Sequence, residues 1–291
     1  MVCKSICKRV SAGLNSLARV LLFAGFAYAG TLSGASSFDF PGAIDTQATG
    51  ITAFGAIVGR YISADGTTHG FLKVGNSFIS IDFPGAVATD TTWINTEGQI
   101  VGSYNSADGR SHGYLLSDGK FTQIDYPGAD STTSFGISPS GDIVGLWSPA
   151  PGSLHGYLFS KGRFSTIDFP GALWTLPTMI VGDRIIGGYF DFNFTAHGFL
   201  LQAGDFQSID CPDYTSLFLS GLNPVGEMTG GVTSTDGSQH GAMVRDGVCT
   251  QIDFPSGTGT YANALNSQGN VVGRYTGPDR TVHGYLLPHV R

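Results

Sequence analysis

The sequence predicts an all-β fold, a six-bladed β-propeller of four-stranded blades closed by an N-terminal strand that completes the last blade, and three observations predict it. The first is a period. Six of the seven histidines occur in His-Gly followed by an apolar residue, at His69, His112, His155, His197, His240 and His283, with successive gaps of 43, 43, 42, 43 and 43. Asp39, Asp82, Asp125, Asp168, Asp210 and Asp253 keep the same beat, mostly inside Asp-Phe-Pro-Gly-Ala. A period in this range belongs to repeat architectures whose units cannot bury an apolar face alone.

The second observation is the content of one unit. In the second, Thr91 to Asn95, Gln99 to Tyr104, Ser111 to Leu116 and Phe121 to Asp125 are short runs rich in β-branched and aromatic residues, separated by glycine-bearing turns. These are four strands, a to d, joined by hairpins, and Pro-Gly-Ala sends the chain on to the next unit. Ile57, Ile100, Ile143, Ile185, Met228 and Val271 form one apolar column in strand b. The glycine two residues later, Gly59, Gly102, Gly145, Gly187, Gly230 or Gly273, marks a place where a neighbour comes too close for a side chain.

The third is the phase of the array. It opens on a lone strand d, Ser37 to Phe40, and ends after a strand c, His283 to Leu287, so pairing these ends removes two exposed edges. An open β-solenoid, the competing architecture, needs no such complementary ends. One residue is missing between Asp168 and Gly187, and the a–b turn of the fourth unit is expected to absorb it.

Residues 1–29 stand apart. Lys4, Lys8, Arg9 and Arg19 flank or precede the apolar run Val20 to Ala27, which ends in Ala27-Tyr28-Ala29. This pattern predicts a secretory signal peptide, and the run is well short of the roughly 20 residues needed to span a bilayer. The expected organisation is a signal peptide at 1–29, a linker at 30–35 and one propeller domain at 36–291, secreted, extracellular or periplasmic. Removing the signal takes four of the fifteen basic residues and none of the twenty-two acidic ones, moving the formal charge from −7 to −11. Such a surface argues against nucleic acid and anionic lipid as partners. Only Cys211 and Cys249 then remain. They fall where strand d of one blade exits and strand d of the next enters, which predicts opposite faces and no disulfide.

The motif Gly-Ile-Asn, then Gly-x-Ile-Val-Gly, then His-Gly-Phe-Leu resembles the extracellular HAF-type repeat family, named for a His-Ala-Phe triplet that here reads His-Gly-Phe or His-Gly-Tyr. The resemblance spans the chain beyond the signal and implies an exported repeat protein. It brings no catalytic residues. The Asp-Phe-Pro-Gly-Ala segment departs from the family pattern.

Six His and six Asp invite a metal or proton-transfer reading. Register points instead to structure. A four-residue turn pairs Leu116 with Phe121, which puts His112 opposite Asp125, and the same spacing joins His69 to Asp82, His155 to Asp168, His197 to Asp210 and His240 to Asp253. Ring closure adds His283 with Asp39. Sixfold copying suits a structural device, so no metal, no cofactor and no catalytic residue is assigned. Asp-Gly in the b–c turns lacks the ladder of a calcium loop, and Glu97 and Glu227, the two glutamates, lie in a–b turns.

Function is sought where the units differ. Eight residues after each repeat Asp come Gln47, Asp90, Thr133, Leu176, Phe218 and Tyr261, near the start of the innermost strand. Arg60 and Arg274 share a strand-b position that elsewhere carries Ser103, Leu146, Gly188 and Gly231. Phe190, Phe192 and Phe194 crowd one b–c turn, and Trp93 and Trp174 have no aromatic counterparts. Gln47, Arg60, Asp90, Tyr261 and Arg274 are the candidate ligand residues. The expected function is a monomeric, non-catalytic binding module for an extracellular glycan or protein. A hydrolase or lyase using channel carboxylates is the alternative, and a structural cell-surface protein the second.

Overall fold

The computed structural model describes residues 34–255, 257–288 and 290, which fall in a compact unit running Leu32–Arg291. The expected signal peptide and the first four linker residues lie outside the described residues. Among the described residues there are twenty-four strands and no helix long and apolar enough to cross a membrane.

After β1 (Ser36–Phe38), each repeat is an antiparallel meander. The first unit is β2 (Asp45–Ile51), β3 (Ile57–Ile62), β4 (Thr68–Val74) and β5 (Ser77–Ile81), and the second is β6 (Ala88–Ile94), β7 (Ile100–Asn105), β8 (Ser111–Ser117) and β9 (Lys120–Ile124). The third is β10 (Ser131–Ile137), β11 (Ile143–Ser148), β12 (His155–Ser160) and β13 (Arg163–Ile167). The fourth is β14 (Trp174–Val181), β15 (Arg184–Phe190), β16 (Ala196–Gln202) and β17 (Asp205–Ile209). The fifth is β18 (Ser216–Leu222), β19 (Met228–Thr233), β20 (Gln239–Arg245) and β21 (Val248–Ile252), and β22 (Thr260–Leu265), β23 (Val271–Thr276) and β24 (Val282–Leu287) end the series. The fold is an all-β propeller. The second to fifth units each make a four-stranded sheet. The remaining strands form an eight-stranded sheet, ordered β22-β23-β24-β2-β3-β4-β5, with β1 also on β24. A single parallel pair, Asp45 with Val282, joins its two halves.

The ends of the array meet as the phase of the repeats predicts. Ser36, Ser37 and Phe38 pair antiparallel with Leu286, Tyr285 and Gly284. On the inner strands, Asn263 Nδ2 donates to the Ala48 carbonyl (2.8 Å) and Asn266 Nδ2 to that of Thr52 (3.0 Å). The residue missing from the fourth unit is taken from its a–b turn. There Val181 pairs with Arg184 across Gly182-Asp183, whereas Ile51 and Ile57 enclose a longer turn.

Each innermost strand carries a β-bulge that the sequence reading did not anticipate, between Ala48 and Gly50 in the first unit and at the matching place in the other five. A bulge leaves one residue out of the ladder and turns its side chain outward. Thr49 Oγ1 uses that freedom to reach the Thr91 carbonyl (2.8 Å), Thr92 that of Ser134 (2.8 Å) and Thr178 that of Leu219 (2.9 Å). Neighbouring inner strands are thereby tied.

The Pro-Gly connection does more than turn the chain. Ala43 N–H donates to the Phe40 carbonyl (3.0 Å) across Pro41 and Gly42, whose φ of 80° suits the third position of a type II turn. The turn drops Phe40 onto the following sheet, where its ring stacks on Tyr61 at 3.7 Å and meets Phe78 edge-on at 5.5 Å. Phe83 does the same to Tyr104 and Phe121, Tyr126 to Trp147 and Phe164, and Phe169 to Tyr189 and Phe206. The backbone N–H of each ring residue donates to a buried threonine of the next inner strand, as Phe40 does to Thr46 (3.0 Å).

The fifth unit breaks this pattern, and with it the expectation for the cysteines. Cys211 and Cys249 form a disulfide, with Cα atoms 5.7 Å apart. Strand direction alone puts the two on opposite faces, and the column each occupies overrides it. In fact Cys211 occupies the column of Phe40 and Phe83, and Cys249 that of Phe78 and Phe121, so both point into the gap between sheets where those rings meet. Val232 and Ala242 stand in the same unit where others have Tyr61 and Phe71, and Leu217 stands where others have Thr46. One covalent bond replaces a whole aromatic cluster.

Candidate functional site

The six histidines are half-buried beside the aromatic stack, His69 lying 5.0 Å from the Tyr61 ring. In every unit Nδ1 meets the repeat aspartate: Asp82 at 2.6 Å from His69, Asp125 at 2.9 Å from His112 and Asp168 at 3.0 Å from His155. Asp210 lies 2.7 Å from His197, Asp253 2.9 Å from His240 and Asp39 3.0 Å from His283. Nε2 is engaged in several units too, by Ser153 at 3.1 Å from His155 and Thr281 at 2.7 Å from His283. In these units both ring nitrogens are hydrogen-bonded within the fold, which fixes the orientation of the ring. Among the described residues, no group of three His, Cys, Asp or Glu side chains is arranged to hold a metal ion.

The aspartate is held from its other side. Tyr61 Oη and Ser80 Oγ lie 3.1 Å apart, and Ser80 donates to Asp82 at 2.7 Å. The hydroxyl persists where the aromatic changes. In the third unit Trp147 has no hydroxyl, and Tyr126 Oη instead meets Thr166 Oγ1 at 2.8 Å. In the fifth, Tyr214 Oη donates to Gln251 at 3.1 Å.

The five candidate ligand residues lie near the start of the innermost strand of the first, second and last units and, for the two arginines, at the facing positions in the second half of the next strand. Gln47 is paired in register with Arg60, Asp90 with Ser103 and Tyr261 with Arg274. Arg60 bridges two units, Nη1 donating to Asp90 Oδ2 at 3.1 Å and Nη2 to Gln47 Oε1 at 3.3 Å, while Gln47 Nε2 donates to Asp45 at 3.1 Å. The Arg274 guanidinium lies 4.4 Å from the centre of the Tyr261 ring. Thr133 takes part in a weak contact with Ser111 (3.4 Å). Leu176 and Phe218 continue the same positions as apolar surface, and the Phe218 ring lies where a Cβ on Gly188 would be.

A cavity of about 240 Å3 opens between the first and second units, lined by Arg60, Thr68, Asp90, Ser103, Tyr104 and Asn105. Asp90 Oδ1 is shielded from solvent and has no hydrogen-bond partner among the described residues. Desolvation pushes its carboxyl above the ordinary carboxylate range, and Arg60 pulls it back only in part. Thr68 and Asn105 escaped the sequence reading because each adjoins a repeat marker, His69 or Tyr104, that drew attention to packing. Trp93 is buried in the core and is no ligand candidate. Trp174, by contrast, packs edge-on against Phe190 and Phe194, both at 5.6 Å, beside the exposed Phe192.

An all-β propeller with polar groups converging at the start of its inner strands defines the class. No family model matches the chain, and no curated protein does. Solved structures do. The Aleuria aurantia lectin, a six-bladed β-propeller with fucose recognition, matches at 13% identity and a TM-score of 0.52 over 87% of this chain and 90% of the lectin. AofleA from Arthrobotrys oligospora matches at 12% and 0.55 over 87% and 85%, and TolB from Acinetobacter baumannii at 13% and 0.57 over 82% and 65%. Likeness at such identity defines the fold.

Proposed function

We propose that the protein is an exported six-bladed propeller that binds carbohydrate, and that Gln47, Arg60, Asp90, Tyr261 and Arg274 form its binding surface. The observation that carries the reading is the polar cavity of about 240 Å3 between the first and second units, where the paired and part-exposed side chains of Arg60 and Asp90 meet solvent. The part-exposed Asp90 carboxylate offers a charged acceptor to a sugar hydroxyl in that cavity. Arg60, Ser103 and Thr68 add donors at different angles, and Tyr261 adds a ring face, the mixture a pyranose with polar rim and apolar faces requires. The fucose-specific lectin of Aleuria aurantia, a structural neighbour, supports the same reading.

Six blades follow from counting the eight-stranded sheet as two, split at the lone parallel pair Asp45 and Val282. The His/Asp pairs belong to the scaffold in this reading, fixing the chain where it crosses between blades. Export to the periplasm or medium, monomeric state and kinship with HAF-type repeats complete the proposal.

A glycan array followed by calorimetry on the purified protein tests it, with released sugars measured alongside to detect hydrolysis. Saccharide binding that is weakened about tenfold or more by Asp90→Asn or Arg60→Gln is expected, the loss of one charge-assisted hydrogen bond. Binding that neither change affects puts the site elsewhere.

A further inference from the structure

We propose that the saccharide carries a carboxylate and that Arg274 recognises it, an inference that rests on the carbohydrate-binding reading above. It starts from two arginines at one repeat position. Arg60 projects toward the next unit and finds Asp90 there, at 3.1 Å, and Gln47 at 3.3 Å in its own. Arg274 holds the equivalent place in β23, opposite Tyr261. The residue that corresponds to Asp90 in the unit following it is Gln47, which has no charge and is already shared between Arg60 and Asp45.

Arg274 is left with a ring instead of an anion. The Arg274 guanidinium carbon lies over the Tyr261 ring, 4.4 Å from its centre, and no carboxylate of the described residues forms an ion pair with it. An exposed arginine needs no partner, because water serves. Arg274 is half-buried, and desolvation lowers its pKa, with Tyr261 and Asp45 opposing and Arg60 adding a like charge. A half-buried guanidinium that packs on a ring and has no ion-pair partner among the described residues can receive a planar carboxylate.

The ring is held in place for this. A Cβ on Gly231 of the preceding unit would lie 2.3 Å from Tyr261 Cε1, so the glycine gives the tyrosine its seat. The planar fork of arginine matches a planar carboxylate through two parallel hydrogen bonds. Within a saccharide that group is a uronate. Asp45 is near enough to influence Arg274 without pairing to it, and it competes with the incoming anion.

The test titrates the protein with a panel of oligouronates, their methyl esters, neutral oligosaccharides and sulfated oligosaccharides. Esterification removes the charge and keeps the sugar. An oligouronate is expected to bind on the order of tenfold tighter than its ester. Arg274→Gln should erase that difference, read as the ratio of acid to ester affinity, and Arg274→Lys, which keeps charge without the fork, should restore part of it. Asp45→Asn should tighten uronate binding. Each variant is checked for an unchanged β-sheet spectrum and melting temperature. Acid and ester bound alike, or sulfated sugars preferred over uronates, would overturn the carboxylate inference and leave the carbohydrate reading standing. Binding of no saccharide at all would remove both.

Discussion

His283 and Asp39, 244 positions apart in sequence, are joined by the same Nδ1-to-carboxylate hydrogen bond, at 3.0 Å, that joins His155 to Asp168 within a single unit. Local chain geometry produces the second contact but cannot produce the first. Only a closed array brings the N-terminal strand against β24, and Phe40 then reaches across to stack on Tyr61, as the ring residue of an ordinary unit does. Closure is thus written in the same residues as repetition.

Deleting residues 36–41 should therefore remove a strand from the last unit and a stacked ring from the first. The exposed edge of β24 becomes a template for pairing with other chains. A lower melting temperature and concentration-dependent association in sedimentation are expected. A deletion variant as stable and monodisperse as the parent would show that the terminal strand contributes nothing to the fold.

The same histidine should make stability depend on pH. Burial disfavours the charged imidazole, but Asp39 and Asp279 outweigh it and raise the His283 pKa above 6.5. A pKa higher in the folded state contributes stability that is complete below the unfolded value and is lost as pH rises through the folded one. The gap in melting temperature between the parent and His283→Gln is expected to be widest below pH 6.5 and to shrink above it. A gap that widened with rising pH would reverse the assignment.

The strand-b glycines offer a sharper contrast. A Cβ on Gly102 would sit 2.0 Å from the Asp90 carbonyl and 2.8 Å from the Tyr114 ring, both fixed by the sheet. Gly109, in a b–c turn, has open space around it and a φ of 82°. Gly102→Ala is expected to cost about 3 kcal/mol or more, since backbone must move, whereas Gly109→Ala costs about 1 kcal/mol for its left-handed backbone. Denaturant titration separates them, and equal effects would contradict the close approach.

The architecture was legible because repetition amplifies it. Turn chemistry that is ambiguous once becomes decisive when it recurs around His69, His112 and His155, and the spacing to Asp82, Asp125 and Asp168 fixes register without coordinates. The bulges were not legible, because Thr49 and Thr92 keep the β-branched character of an ordinary strand while their hydroxyls serve the neighbouring unit. The site was half legible. Arg60 and Asp90 stood out as departures from the repeat, but their contact depends on how adjacent sheets are juxtaposed, which no single unit's register specifies. The disulfide was not legible from strand direction, because the column a residue occupies, not the end of the strand it sits on, decides which gap between sheets it faces. Cys211 and Cys249 depart from two aromatic columns in the same unit, and paired departures of that kind were the signal for contact.

That substitution leads to the last prediction. At four other junctions two aromatic rings meet at the place the disulfide occupies, each pair contributing about 0.5–1.5 kcal/mol beyond burial. A disulfide closing a separation of 38 residues contributes about 2–4 kcal/mol, mainly by restricting the unfolded chain. Reduction, or Cys211→Ser with Cys249→Ser, leaves the junction between the fourth and fifth units with neither device, because Val232, Ala242 and Leu217 offer no ring or hydroxyl. Stability should fall by that amount, and hydrogen exchange should quicken first in β18 to β21. Restoring the pattern of the other units with Cys211→Phe, Cys249→Phe and Val232→Tyr should recover part of the loss and make the melting temperature indifferent to reductant. If reduction leaves the parent's melting temperature unchanged, the bond is an ornament on a junction already held by packing, and the exchange of rings for a covalent link has no energetic meaning.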